Sequence, residues 1–288
     1  MSTQPTSTET RPRQDKLVIN LAPTGMIPTK AMTSFVPITS EEIAGSVKKC
    51  MVFGVSMVHI HARDDSGAPT HSKDIYADII SRIRDINADL IICVSTSGRS
   101  WSEFDKRSEV LELSGDVKPD MASLTLSSLN FNKQTSVNEP VTIRDLAKKM
   151  LDYGIRPELE VFDTGMLNYA KYLITKDLLR PPYYFNLILG NIACAQATPS
   201  SLGHHLCQLP PHSIWSVGGV GDYQLTANVL GMVSGGGVRV GLEDNIWYTR
   251  ARRKLAKNWE LVARLWRIAG DMELEIAAPE EVRWMLQL

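Results

Sequence analysis

Apolar positions along this chain fall into eight short runs, at residues 17–22, 55–61, 90–95, 121–126, 158–162, 184–189, 214–220 and 238–242. Each is brief, and most are rich in β-branched or aromatic residues, the pattern of strands buried on both faces. Between them lie stretches with helical spacing, at 40–53, 72–86, 143–153, 166–175 and 223–233. Ser40-Glu41-Glu42 puts a cap residue and two acids at the first helix start, as the helix dipole prefers. A long amphipathic helix is expected at 251–270 and a short closing one at 279–288. Strand–helix alternation repeated eight times predicts parallel strands joined by crossover helices, hence a closed (β/α)8 TIM barrel, with an open doubly wound sheet as the alternative. No composition break divides the chain, so 16–288 reads as one catalytic domain behind a Thr/Ser/Pro/Arg-rich N-terminal tail at 1–15 expected to be disordered.

Composition narrows the partners. Net charge is −1 and 43% of residues are hydrophobic, which suits a soluble enzyme and gives no reason to expect nucleic acid or a membrane surface. No apolar run approaches a membrane span. The tail lacks the apolar core of a secretory signal, leaving a transit peptide as the weaker alternative to disorder. The cysteines Cys50, Cys93, Cys194 and Cys207 form no Cys-x-x-Cys pair, and three sit in apolar or strand-like surroundings. Reduced thiols and a cytoplasmic location follow as expectations.

In a barrel the chemistry stands at the C-terminal ends of the strands. The second run ends in His59-Ile60-His61, and residues two apart on a strand share a face, so two imidazoles project together, as metal ligands do. The plain alternative is a pair of histidines that bond nearby backbone. The fifth run holds Glu158 and Glu160, and the eighth reads Arg239-Val240-Gly241-Leu242-Glu243-Asp244. A buried acid needs a partner. For Glu243 that is a metal shared with the histidines or an ion pair with Arg239; for Glu160 an ion pair inside the barrel competes with a role in the site. Ser95, Thr96, Ser123 and Thr125 offer hydroxyls, which either bind a carboxylate or fill a barrel layer. The Arg252-Arg253-Lys254 run reads as a solvated face, with contact to a nucleotide phosphate as the sharper alternative.

Several of these segments, taken in order, resemble the β-keto acid cleavage enzymes: Thr24-Gly25, His59-Ile60-His61-Ala62-Arg63, Val94-Ser95-Thr96, Pro157-Glu158-Leu159-Glu160-Val161, Trp215-Ser216-Val217-Gly218-Gly219 and Arg239 through Asn245. The likeness runs from about residue 17 to the last residue, Leu288. It implies a zinc-dependent barrel that condenses a β-keto acid with acetyl-CoA to give acetoacetate and a new acyl-CoA, working as a homotetramer. Carried over by position, His59, His61 and Glu243 hold zinc, Arg239 and Asp244 form the dyad that deprotonates C2, and Glu160 is an acid near the site. Ser95 holds the substrate carboxylate, Thr96 and Thr24 assist, and Ser123 replaces a threonine. A carboxylate paired to arginine is expected to be a weak base, so desolvation by the substrate would have to raise the basicity of Asp244. One departure bears on substrate: the family member that cleaves 3-keto-5-aminohexanoate has an acid for the substrate ammonium where Ile27 stands here. An uncharged tail is expected, or an anionic one if Lys30 or Arg99 turns inward.

Two other classes compete. A zinc hydrolase of the amidohydrolase type also uses His-x-His on a barrel strand but needs further histidines, and His71, His204, His205 and His212 fall in expected loops or helices. A non-catalytic metal-binding or assembly protein is the third.

Overall fold

The computed structural model describes residues 15–288, so the expected tail lies, apart from Asp15, outside the described residues. The eight apolar runs form β1 (Ile19–Leu21), β2 (Met57–Ile60), β3 (Ile91–Val94), β4 (Met121–Thr125), β5 (Arg156–Val161), β6 (Tyr183–Leu189), β7 (Ser213–Gly219) and β8 (Gly237–Val240). They close into a barrel in sequential order, with β8 pairing β1 through Val238 and Ile19. Every barrel pairing is parallel. Closure leaves no strand edge and puts all eight C-terminal ends at one mouth.

The crossover helices are α1 (Ser40–Met51), α2 (Lys73–Ile86), α3 (Phe104–Ser108), α4 (Pro140–Asp152), α5 (Thr164–Thr175), α6 (Pro199–Gln208), α7 (Gln224–Val233) and α8 (Asn258–Asp271). The sequence pattern misses α3 and α6. The first is a single turn continued by 3-10 helix, and the second is Ser-, Gly- and His-rich with a weak apolar stripe. The cap of α1 is Thr39 rather than Ser40: its hydroxyl accepts from the Glu42 N–H at 3.2 Å, while Glu42 accepts from the Thr39 N–H. The helix expected at 251–270 begins only at Asn258. Arg252 has φ 53°, and Leu255 pairs with Trp247 in an isolated bridge, so 251–257 is loop. A short hairpin, Leu129–Asn130 against Thr135–Ser136, follows β4 and was not expected.

The opposite mouth is plugged. A final helix, α9 (Pro279–Leu286), turns Val282 and Leu286 into a cluster with Val18, Met57, Ile91 and Met121, at or beside the beginnings of β1 to β4. Arg283 fixes it by donating to Asp120 at 2.9 Å and to the Asp89 carbonyl. Cys50 and Cys93 are buried, but Cys194 is half-buried and Cys207 exposed, so two thiols rather than three are enclosed.

Leu286 is fully buried, and truncating it leaves a cavity that rigid strand ends cannot fill. Leu286→Ala is expected to destabilise the protein by about 3 kcal/mol, read as a lower urea midpoint at unchanged m-value. Trp284→Ala on the solvent side of the same helix, at 82% exposure, should move it little.

Candidate active site

Strand alternation sends His59 inward from β2, and His61, just beyond the strand end, follows on the same face. Their Nε2 atoms stand 3.2 Å apart. Glu243, three residues past β8, brings Oε1 to 3.2 Å from His61 Nε2. Donor atoms of all three lie within 4.8 Å of one another.

Two observations say that this group suits a divalent cation. Two neutral imidazole nitrogens directed at each other repel unless a proton or a metal lies between them, and Glu243 Oε2 is buried with no hydrogen-bond partner. Two imidazoles and a carboxylate are also a common catalytic zinc set with a position left open. His59, Cys93 and Glu158 make a second compact group deeper in the barrel. It fits less well, because both Glu158 oxygens are already engaged, by His59 Nδ1 and the Cys93 thiol on one side and by the Asn20 and Asn186 amides on the other.

Glu158 is the residue that sequence reasoning left without a role. Its Oε2 accepts from His59 Nδ1 at 2.5 Å and from the Cys93 thiol, and its Oε1 accepts from the amides of Asn20 and Asn186 at 2.7 and 3.1 Å. A proton held on Nδ1 leaves the His59 Nε2 lone pair facing the rim, the outer-sphere arrangement of metal-binding histidines. The tautomer is assigned from this network. Burial works against ionisation of both partners, but with no cation bound each charge offsets it for the other: His59 is lifted to about 9 and Glu158 drops to about 2, so a metal would take the place of the Nε2 proton while Glu158 keeps the one on Nδ1. The available signal was spacing, since Glu158 and Glu160 alternate on one face of β5 and Glu158 is one pleat deeper.

Arg239 sits at the centre of the acids. It is 2% exposed and donates through Nη2 to Glu243 Oε1 at 2.7 Å, through Nε to Asp244 Oδ2 at 2.9 Å, and reaches Glu160 Oε1 at 3.5 Å. The metal reading and the ion-pair reading of Glu243 are therefore compatible: Oε1 takes the guanidinium and Oε2 remains. The ion pair expected for Glu160 is present, and Thr125 adds a hydroxyl donor at 2.6 Å. Burial raises the Asp244 carboxyl despite Arg239, where pairing with arginine alone was expected to lower it. Burial raises Glu160 likewise, whereas Arg239 and the histidines hold Glu243 well below its usual range against burial.

Positioning comes from residues outside the ligand set. Asn228 on α7 donates to the carbonyls of Val217 and Arg239, and Gln224 donates to that of Gly241, fastening the end of β8. Asn258 on α8 accepts from Leu242 N–H and donates to the Pro23 carbonyl, tying the β8 loop to the β1 loop. At Gly25 (φ 65°) a Cβ would lie 2.5 Å from Glu243 Cγ, and at Gly241 (φ 154°) 2.0 Å from the Ala22 oxygen, so both must lack a side chain for Glu243 to come in. Arg63 donates to the carbonyls of Gly25, Pro28 and Gly67, locking the β1 and β2 loops together.

The hydroxyls divide. Ser95 lies at the end of β3, in a cleft with His61, Met26, Ser97 and Trp101, and accepts from Ser97 N–H at 3.2 Å. Thr96 also borders the cleft, but its hydroxyl donates to the Ser123 carbonyl and its N–H to Ser123 Oγ. Without substrate the Thr96 hydroxyl donates to the neighbouring strand. Thr24 is fully buried, and its hydroxyl has no partner. His71 pairs with Glu109, and His204, His205 and His212 stand in α6 or a turn, so among the described residues no third histidine joins the pair. Arg252 and Lys254 form outward ion pairs with Asp222 and Glu260.

The family described as beta-keto acid cleavage enzyme matches residues 16–288. The 3-keto-5-aminohexanoate cleavage enzyme of Fusobacterium nucleatum is 37% identical over 276 residues, covering 95% of this chain and 98% of that protein. The 3-oxoadipate:acetyl-CoA acetyltransferase of Cupriavidus necator is 30% identical over 274 residues, 94% of each chain. The solved structure of apo ObcA superposes with a TM-score of 0.77 at 22% identity, covering 88% of this chain and 66% of ObcA, a likeness of fold alone.

Because Glu158 orients His59, Glu158→Gln is expected to weaken divalent-cation affinity 10- to 100-fold, with all three direct ligands intact. Chelator competition measures it, and unchanged affinity would remove Glu158 from that role.

Proposed function

The chain belongs to the beta-keto acid cleavage enzyme family, and from that premise we propose that it is a transferase that takes a β-keto acid and acetyl-CoA to acetoacetate and a new acyl-CoA. The observation that carries this reading is the convergence of His59, His61 and Glu243 beside the Asp244–Arg239 pair at the barrel mouth. Residues 16–288 act as one catalytic domain, and the resemblance favours a cytoplasmic homotetramer; no described helix is long and apolar enough to cross a membrane.

His59, His61 and Glu243 would hold zinc, which when bound supplies a Lewis acid for the keto oxygen. Ser95 receives the C1 carboxylate through its hydroxyl. Asp244 takes the proton from C2. Its two contacts with Arg239 hold the carboxylate in place, and burial raises its affinity for a proton. The C2 carbanion attacks the thioester carbonyl of acetyl-CoA and releases CoA as thiolate. The thiolate adds to the original keto carbon. The bond between that carbon and C2 then breaks, leaving the new acyl-CoA and the acetoacetate carbanion. Asp244 returns its proton to that carbanion, so protons balance over the cycle. Glu160, held by Thr125, gives the Arg239 guanidinium a third acceptor that helps to aim it.

Acetoacetate release from 3-oxo acids, with and without acetyl-CoA, tests the reading. A hydrolase needs no CoA, and an assembly protein gives no product. His59→Ala is expected to lose zinc and activity while its circular dichroism stays that of a folded barrel. Asp244→Asn should keep zinc and lose about 1,000-fold or more in kcat, the scale of a general base. A near-normal rate would take Asp244 out of that role. With Ile27 where an acid would meet an ammonium, 3-keto-5-aminohexanoate should turn over poorly beside 3-oxohexanoate, and a clear preference for the amino substrate refutes this assignment.

A further inference from the structure

One guanidinium near the mouth has nothing to bind. Arg99 follows β3, two residues beyond Ser97, and is half-buried. Its guanidinium carbon lies 3.6 Å from the centroid of the Phe131 ring, and Phe131 is itself braced edge-on against Phe162 at 5.8 Å. Stacking on an aromatic face fixes the plane of the group and leaves its N–H edge pointing outward. Among the described residues no acceptor meets that edge; the backbone N–H of Arg99 donates to Ser97 Oγ, and the side chain makes no hydrogen bond or ion pair. Every other arginine around the mouth is occupied: Arg63 by three carbonyls, Arg107 by Thr96 and Val137 carbonyls and Asn138, Arg239 by acids.

The rim acids Glu243, Glu160 and Asp244 all exert their charge on Arg99, yet none forms an ion pair with it. Arg99 stands four residues beyond Ser95 and two beyond Ser97, both in the cleft wall, and its guanidinium remains free. The other cation of interest, Lys30, is spoken for: its Nζ lies 2.7 Å from Glu42 Oε1 at the start of α1. On the β1 loop Met26 enters the cleft and Ile27 offers no charge. The described mouth holds an unpaired cation and lacks an acid at the position that would favour an ammonium.

We infer that Arg99, held flat on Phe131, receives a carboxylate at the far end of the keto acid, so that the substrate class is the β-keto dicarboxylates. This rests on the transferase reading above. A carboxylate matches the fork of a guanidinium, and such a charge-assisted pair discriminates by roughly 10- to 100-fold over a neutral tail. The same edge could instead take the C1 carboxylate common to every β-keto acid, and the experiment separates the two.

The test compares kcat/KM for 3-oxoadipate and 3-oxohexanoate, each with acetyl-CoA, in the wild type, Arg99→Gln and Arg99→Lys. The wild type is expected to favour 3-oxoadipate, and Arg99→Gln to reduce that preference about 30-fold, mainly through KM. Arg99→Lys, which keeps the charge but not the fork, should recover part of it. An equal loss on both substrates would assign Arg99 to a group they share and overturn the inference, as would a wild-type preference for 3-oxohexanoate. Failure of the underlying reading looks different: the wild type would then release no acetoacetate from either acid.

Discussion

Arg239 is the group on which the charged mouth of this barrel depends. Glu243, Asp244, Glu160 and Glu158 all place carboxylates where water scarcely reaches. Left alone, four such groups would be protonated or would force the strands apart. A guanidinium has enough donors to bind three of them at once, and its fork fixes their orientations as well as their charge. The fourth, Glu158, is balanced by His59. This division produces two layers. Below, a His59–Glu158 pair is closed in by Asn20, Asn186 and Cys93; above, His61 lines the cleft, with Glu243 Oε1 3.2 Å from its Nε2.

That arrangement needs the backbone at the end of β8 to be placed with little tolerance. Three amides do this, Asn228, Gln224 and Asn258, each buried and each reaching main-chain groups of a different strand or loop. The absence of side chains at Gly25 and Gly241 lets the β1 and β8 loops touch. The site is thus held by secondary elements from outside the barrel wall, so the reactive groups can be few while the supports are many. The residues proposed to select the substrate, Ile27 and Arg99, sit on a separate set of parts, the loops after β1 and β3. This separation suits a family whose relatives carry the names of different keto acids.

Much of this was legible beforehand. The eight strands were readable because a doubly covered strand must be apolar on both faces, so each polar residue within one stands out. His59, Glu160 and Arg239 were visible for that reason, and His61 and Glu243 because they stand at or just past the ends of such strands. The long α8 was overextended because Arg252, Arg253 and Lys254 keep helical composition across a loop, and propensity alone does not register the Trp247–Leu255 bridge that stops the helix. That Thr96 donates to the Ser123 carbonyl of the next strand is a matter of register, which composition does not carry.

From the order of residues alone came the barrel, the face on which the histidines stand and the identity of the acids near them, because periodicity and the cost of burying charge are local properties. Which acid serves which partner was decided only in three dimensions. Glu158 and Glu160 are alike in the chain and differ by one pleat in depth, and that pleat sends one to His59 and the other to Arg239 and Thr125. Lys30 and Arg99 were equal candidates in the chain; a neighbouring glutamate claimed the first, and an aromatic ring left the second free. Such assignments depend on distances between segments far apart in sequence, and those exist only once the cylinder has closed.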